Sequence, residues 1–109
     1  MELTKEENSL LLYMETQTVD YGGKLQGVRM NADDFEIAKR WNEIGFVLFG
    51  RIAANDISTR GTSGEYPRTH WCVLSDEAWV TAHAERRARF ERLTNKMAIL
   101  RVGLTQCTE

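Results

Sequence analysis

Within the stretch Trp41-Asn-Glu-Ile-Gly45-Phe46-Val-Leu-Phe-Gly-Arg-Ile52 the hydrophobic period switches from that of a helix to that of a strand. Upstream, Phe35, Ala38, Trp41 and Ile44 recur at three-residue steps, the mark of a helix with one buried side. Asn31 is a good N-cap, and Asp33, Asp34 and Glu36 in the first turn suit the positive end of the helix dipole. The spacing predicts a helix over 32–44, ended by Gly45. Residues 46–52 follow at once as an apolar, β-rich run. A polar loop over 53–68 holds Gly61, Gly64 and Pro67, and His70-Trp-Cys-Val-Leu74 is a second β-rich run. Two such runs joined by a Gly-containing polar loop predict an antiparallel hairpin with a long tip.

Working outward, Thr4 and Glu7 have the spacing of a capping box, and Leu10, Leu11, Met14, Thr18 and Tyr21 line one face. Gly22-Gly23 supplies the left-handed backbone that ends many helices, so a first helix is expected over 4–21. Lys24 to Met30 is a connector, either a small strand or a packed turn. Ser75, followed by Asp76 and Glu77, caps a last helix that reaches at least Asn95 and extends as far as Leu100. Met97 to Leu104 either prolongs that helix or folds back as a strand. One proline among 109 residues leaves room for long helices, and the length suits a single domain.

The order is helix, connector, helix, Gly, strand, long loop, strand, long helix. Through Trp41-Asn-Glu-Ile-Gly45-Phe46-Val47 and Thr69-His-Trp-Cys-Val-Leu-Ser75, the chain resembles the winged helix-turn-helix class over residues 4–96. It is also similar to small proteins encoded by phages and prophages. The resemblance implies an α+β winged-helix domain over 1–96, the hairpin tip being the wing, with 97–109 a helix extension or tail. It further implies a transcriptional regulator that binds double-stranded DNA and dimerises through its terminal helix. The chain departs from the class between residues 22 and 31, where a normal middle helix has no room.

Charge is distributed unevenly. The formal total is −2, which excludes a uniformly basic polyanion binder but not a local basic patch. Residues 31–50 carry four acids against Lys39 and Arg40, while 86–101 carry six bases against Glu91 alone. Candidate nucleic-acid contacts are therefore Lys39 and Arg40 on the second helix, Arg51, Arg60 and Arg68 around the wing, and Arg86, Arg87 and Arg89 on the last helix. Carboxylates at the start of the second helix oppose phosphate there. Asp33, Asp34, Glu36 and Glu43 form an alternative face for a protein partner. In a phage setting that partner is a host nucleic-acid-handling or defence complex, bound in the manner of an anti-CRISPR protein. Dipole matching and solubility explain the same charges without any partner.

Trp79, His83, Arg86, Phe90, Leu93, Met97 and Leu100 follow a 4-3-4-3-4-3 spacing. That seam either lies on its own domain or pairs with a second subunit. No enzyme is expected, because no motif sets up a nucleophile or an acid–base pair. No cofactor or metal site is expected either, since His70, Cys72 and His83 lack paired ligand spacing. The longest apolar runs are about five residues, far below the roughly 18–20 that a membrane span needs. The acidic N-terminus does not read as a secretory signal, and two unpaired cysteines fit a reducing cytoplasm.

Overall fold

A computed structural model describes residues 2–56 and 66–105, those from 98 onward as helix backbone only. The architecture is α+β, with three α-helices and a small antiparallel sheet of three strands.

Helix α1 spans Lys5–Tyr21 and opens on a full capping box, in which Glu7 N–H donates to Thr4 Oγ1 at 3.2 Å and Thr4 N–H to Glu7 Oε1 at 3.0 Å. Gly22 closes it at φ 66, and the Gly22 and Gly23 N–H groups satisfy the carbonyls of Thr18 and Gln17. Leu10, Leu11, Leu12, Met14 and Glu15 are all buried, more than one face of a helix, because α1 contacts α2, α3 and the sheet. Tyr21, expected on the buried face, is instead exposed at the end of the helix.

Strand β1, Lys24–Leu25, pairs antiparallel with β3, His70–Leu74, which also pairs with β2, Val47–Arg51. The sheet order is β1-β3-β2, so the connector supplies a third strand to the expected hairpin. A single 3-10 turn, Gly27–Arg29, fills the remaining space before α2.

Helix α2 spans Ala32–Ile44, capped by Asn31 and Asp34 and stopped by Gly45 at φ 76. Its buried residues are Ile37, Ala38 and Trp41. Ile44 was expected on this side but is 63% exposed. The chain reverses at Gly45 and drives Phe46 into the core, edge-on to Trp41 at 5.3 Å. Asn42 Oδ1 accepts the Phe49 N–H at 3.0 Å, which occupies a donor on the open edge of β2. A second 3-10 turn, Ala54–Asp56, follows β2.

Helix α3 spans Asp76–Thr105, running past Asn95, the minimum extent expected. Of the two alternatives for 97–104, helix is the one found. Ser75 Oγ accepts the Ala78 N–H at 3.1 Å and donates to Phe46 O at 2.7 Å, tying the start of α3 to the start of β2. Ala78 and Ala82 are fully buried, which lets α3 approach the core closely. At about 1.5 Å per residue a helix of this length runs about 45 Å. The radius of gyration is accordingly 17.9 Å, against about 13 Å for a compact chain of this length.

Candidate functional site

Most of the cations singled out in the sequence have partners. Arg68 Nη1 donates to Gln17 Oε1 at 2.6 Å and to Lys24 O at 2.7 Å, and its guanidinium lies 3.5 Å from the centre of the Tyr21 ring. It fastens the residues leading into β3 to α1. Arg86 donates to Glu15 Oε1, to Thr16 Oγ1 and to Leu12 O, bridging α3 to α1. Both arginines hold elements together, because each finds acceptors on an element far away in sequence.

The remaining pairings are looser. Arg87 pairs with Glu91 at 3.3 Å, and Arg89 and Arg92 share Glu85 at 2.9 and 3.2 Å. Lys39 lies 3.8 Å from Glu36, and Arg40 lies 3.7 Å from Glu7. The cations of these pairs are all exposed, though Glu7 and Glu85 are partly buried, and pairs near the surface are each worth about 0–1 kcal/mol, so such side chains can be recruited by a stronger anion. Arg51 is exposed at the end of β2, directly across from His70. Arg60 lies outside the described residues.

The structure brings together a cationic cleft that the sequence did not delimit. α3 runs alongside α1 so that Arg89, Arg92, Leu93 and Lys96 face Lys5, Asn8 and Ser9 across an open cleft of about 630 Å³. Glu85 is the one carboxylate in its lining. The Arg89 hydrogen bond, aided by that of Arg92, outweighs partial burial and holds the Glu85 carboxyl below the usual carboxylate range. Four cations around one carboxylate leave a surplus of positive charge. Lys5 could not be found from its neighbours in sequence, since it joins the patch only through the side-by-side placement of α1 and α3.

The acidic candidates lie elsewhere. Asp33, Glu36 and Glu43 are exposed on α2, and Asp34 spends one carboxylate oxygen on the Asn31 N–H at 3.1 Å. The carboxylates thus lie toward both ends of α2, with Lys39 and Arg40 between them.

The seam on α3 divides in two. Trp79 packs against the core, and His83 tilts against its ring at 5.8 Å while its Nε2 lies 3.2 Å from Glu15 Oε2. Phe90, Leu93 and Met97 are open to solvent. Phe90, at 66% exposure, therefore does not share the seat of Trp79, which packs against the core.

Phe35 of α2, Phe49 of β2 and His70 of β3 form a half-buried aromatic cluster. The His70 ring is stacked on Phe49 at 5.3 Å and tilted against Phe35 at 5.2 Å. Burial, and then the charge of Arg51, lower the His70 pKa from its ordinary value. Burial pushes the Cys72 thiol up, opposed by a contact with Thr18 Oγ1.

Among the described residues, no group of three or more His, Cys, Asp or Glu side chains could hold a metal ion. No helix among them is long and apolar enough to cross a membrane. Compared with protein-family models, curated proteins and solved structures, the chain finds no match.

Proposed function

We propose that the chain is a small, non-enzymatic winged-helix protein of the phage-regulator kind that binds double-stranded DNA. Two features support the winged-helix reading. α2 passes through Gly45 straight into β2, which pairs antiparallel with β3, and the order of helices and strands is the one expected, although a 3-10 turn at Gly27–Arg29 stands where a middle helix would be. The observation that carries DNA binding is the cleft between α1 and α3, with Lys5, Arg89, Arg92 and Lys96 around Glu85. Backbone phosphates fit such a patch, with Asn8 and Ser9 as neutral donors. α2 has a secondary role, since the carboxylates of its first turn repel phosphate from the end of the helix that would approach it.

The test is binding of a random duplex titrated with salt. Contact with about four phosphates predicts that log affinity falls against log salt with a slope of about −3 to −4. Lys5→Ala and Lys96→Ala each flatten that slope by about one. No binding at low salt sinks the DNA reading.

A second reading draws on the exposed carboxylates Asp33, Glu36 and Glu43 of α2. Such a face can occupy the basic groove of a host nucleic-acid-handling complex in place of phosphates. Asp33→Lys with Glu36→Lys separates the two. The change strengthens DNA binding in the first reading and abolishes partner binding in the second.

A further inference from the structure

Along α3, beyond the residues that pack on the core, Phe90, Leu93 and Met97 stand 66%, 57% and 50% exposed. Their spacing is that of one helix stripe, two turns long. Large apolar side chains held in a row on a helix, and left largely uncovered by the described residues of their own chain, mark an interaction surface. The geometry points to this stripe as the seat of an acidic amphipathic helix from a partner protein.

Charge selects that occupant. In helical projection Arg87 flanks the stripe on one side, and Arg89 and Lys96 on the other. Glu91 offsets Arg87, and Glu85 is shared by Arg89 and Arg92, so the surplus positive charge lies on the flank of Arg89 and Lys96. A second copy of α3 fits poorly. Antiparallel pairing sets the side of the stripe bearing Arg89 and Lys96 against the same side of the other copy. Parallel pairing sets Arg89 beside Thr94, which is no complementary pair among the described residues. A helix with leucines at i, i+3 and i+7 and glutamates beside them matches both the apolar row and its cationic rim. The seat shares Arg89, Leu93 and Lys96 with the cleft proposed for phosphates, so a partner helix and a duplex compete for it.

Three synthetic helical probes test this by calorimetry. One carries leucines flanked by glutamates, one the same leucines flanked by lysines, and one the glutamates with alanine in place of leucine. The first binds, and binds at least tenfold tighter than either of the others. Phe90→Ser with Met97→Ser, and separately Arg87→Glu with Lys96→Glu, each weaken it at least tenfold. All of these residues are exposed, so the circular dichroism spectrum and thermal midpoint of the variants stay close to those of the parent. Equal binding of the lysine probe would mean mere stickiness and overturns the proposal, as does equal binding of the leucine-free probe, which marks a plain anion site. A dimer that Phe90→Ser turns into a monomer assigns the stripe to a second copy and overturns it as well.

Discussion

Arg86 of α3 closes over the buried carboxylate of Glu15 on α1, 71 positions away in sequence. The Glu15 side chain is only 5% exposed, and the same guanidinium reaches Leu12 O and Thr16 Oγ1. His83 stands at the other carboxylate oxygen, 3.2 Å away but out of line for a hydrogen bond. The hydrogen bonds of Arg86 are therefore spent on α1, although it stands in the most basic stretch of the chain.

Removing that guanidinium leaves a buried charge with little compensation. Arg86→Ala is expected to cost about 2–4 kcal/mol, at or below the usual range for breaking a buried pair, because Arg86 is itself half exposed. The thermal midpoint should fall by about 10–20 °C. The double variant Arg86→Met with Glu15→Leu should recover most of the loss. If Arg86→Ala melts with the parent, the clamp carries no stability.

Gly23 has a different constraint. Its φ is 89, and an added Cβ would lie 2.4 Å from the Cys72 carbonyl oxygen. Its own carbonyl accepts the Cys72 N–H at 2.8 Å. Gly23→Ala must push β1 off β3 and is expected to cost about 2–3 kcal/mol by overpacking and backbone strain. Gly22→Ala, with nothing within 4 Å of the added carbon, meets only the left-handed backbone penalty of about 1–2 kcal/mol. Chemical denaturation of the two variants should rank them in that order, and the reverse order would contradict the close approach at Cys72.

Stability should depend on pH through His70. Its folded pKa is lowered below 6.5 by burial and by Arg51 opposite it, so the unfolded chain binds this proton more readily. The contribution is complete above pH 6.5 and is lost as pH falls from there through the lower, folded value. Thermal midpoints between about pH 7 and pH 5 should fall less steeply in His70→Gln than in the parent. Arg51→Ala should remove part of the slope, as the smaller of the two causes. Parallel curves for parent and His70→Gln would show that the ring titrates as it does in the unfolded chain.

Asn42 protects the open edge of β2 by accepting the Phe49 N–H. Asn42→Ala frees that donor beside Leu48, which is already exposed. A loss of about 1 kcal/mol and increased self-association by light scattering are expected. Asn42→Asp keeps the acceptor and should behave as the parent does.

Local signals in the sequence located the elements well. Thr4 with Glu7, Asn31, Gly45 and Ser75 each act within a few residues, so the ends of α1 and α2 and the start of α3 could be read directly. The hairpin was legible from its two β-rich runs. The third strand was not settled, because Lys24–Leu25 has no strand character of its own and pairs only where β3 is already present. Ile44 and Tyr21 were misplaced for a related reason. The 3.6-residue period continues to the end of a helix, but burial ends where the chain turns away.

The sequence by itself determined the order of elements, their caps, and the separation of an acidic α2 from a basic end of α3. These follow from interactions between near neighbours and from the helix dipole. Only the tertiary structure decided which charges are available. The acceptors that hold Arg68 and Arg86, at Gln17 and Glu15, lie 51 and 71 positions away, and Lys5 joins Arg92 and Lys96 only because α3 lies along α1. Whether a cation is spent inside the fold or offered outside it depends on the desolvated partners that packing brings to it, and chain distance carries no record of that.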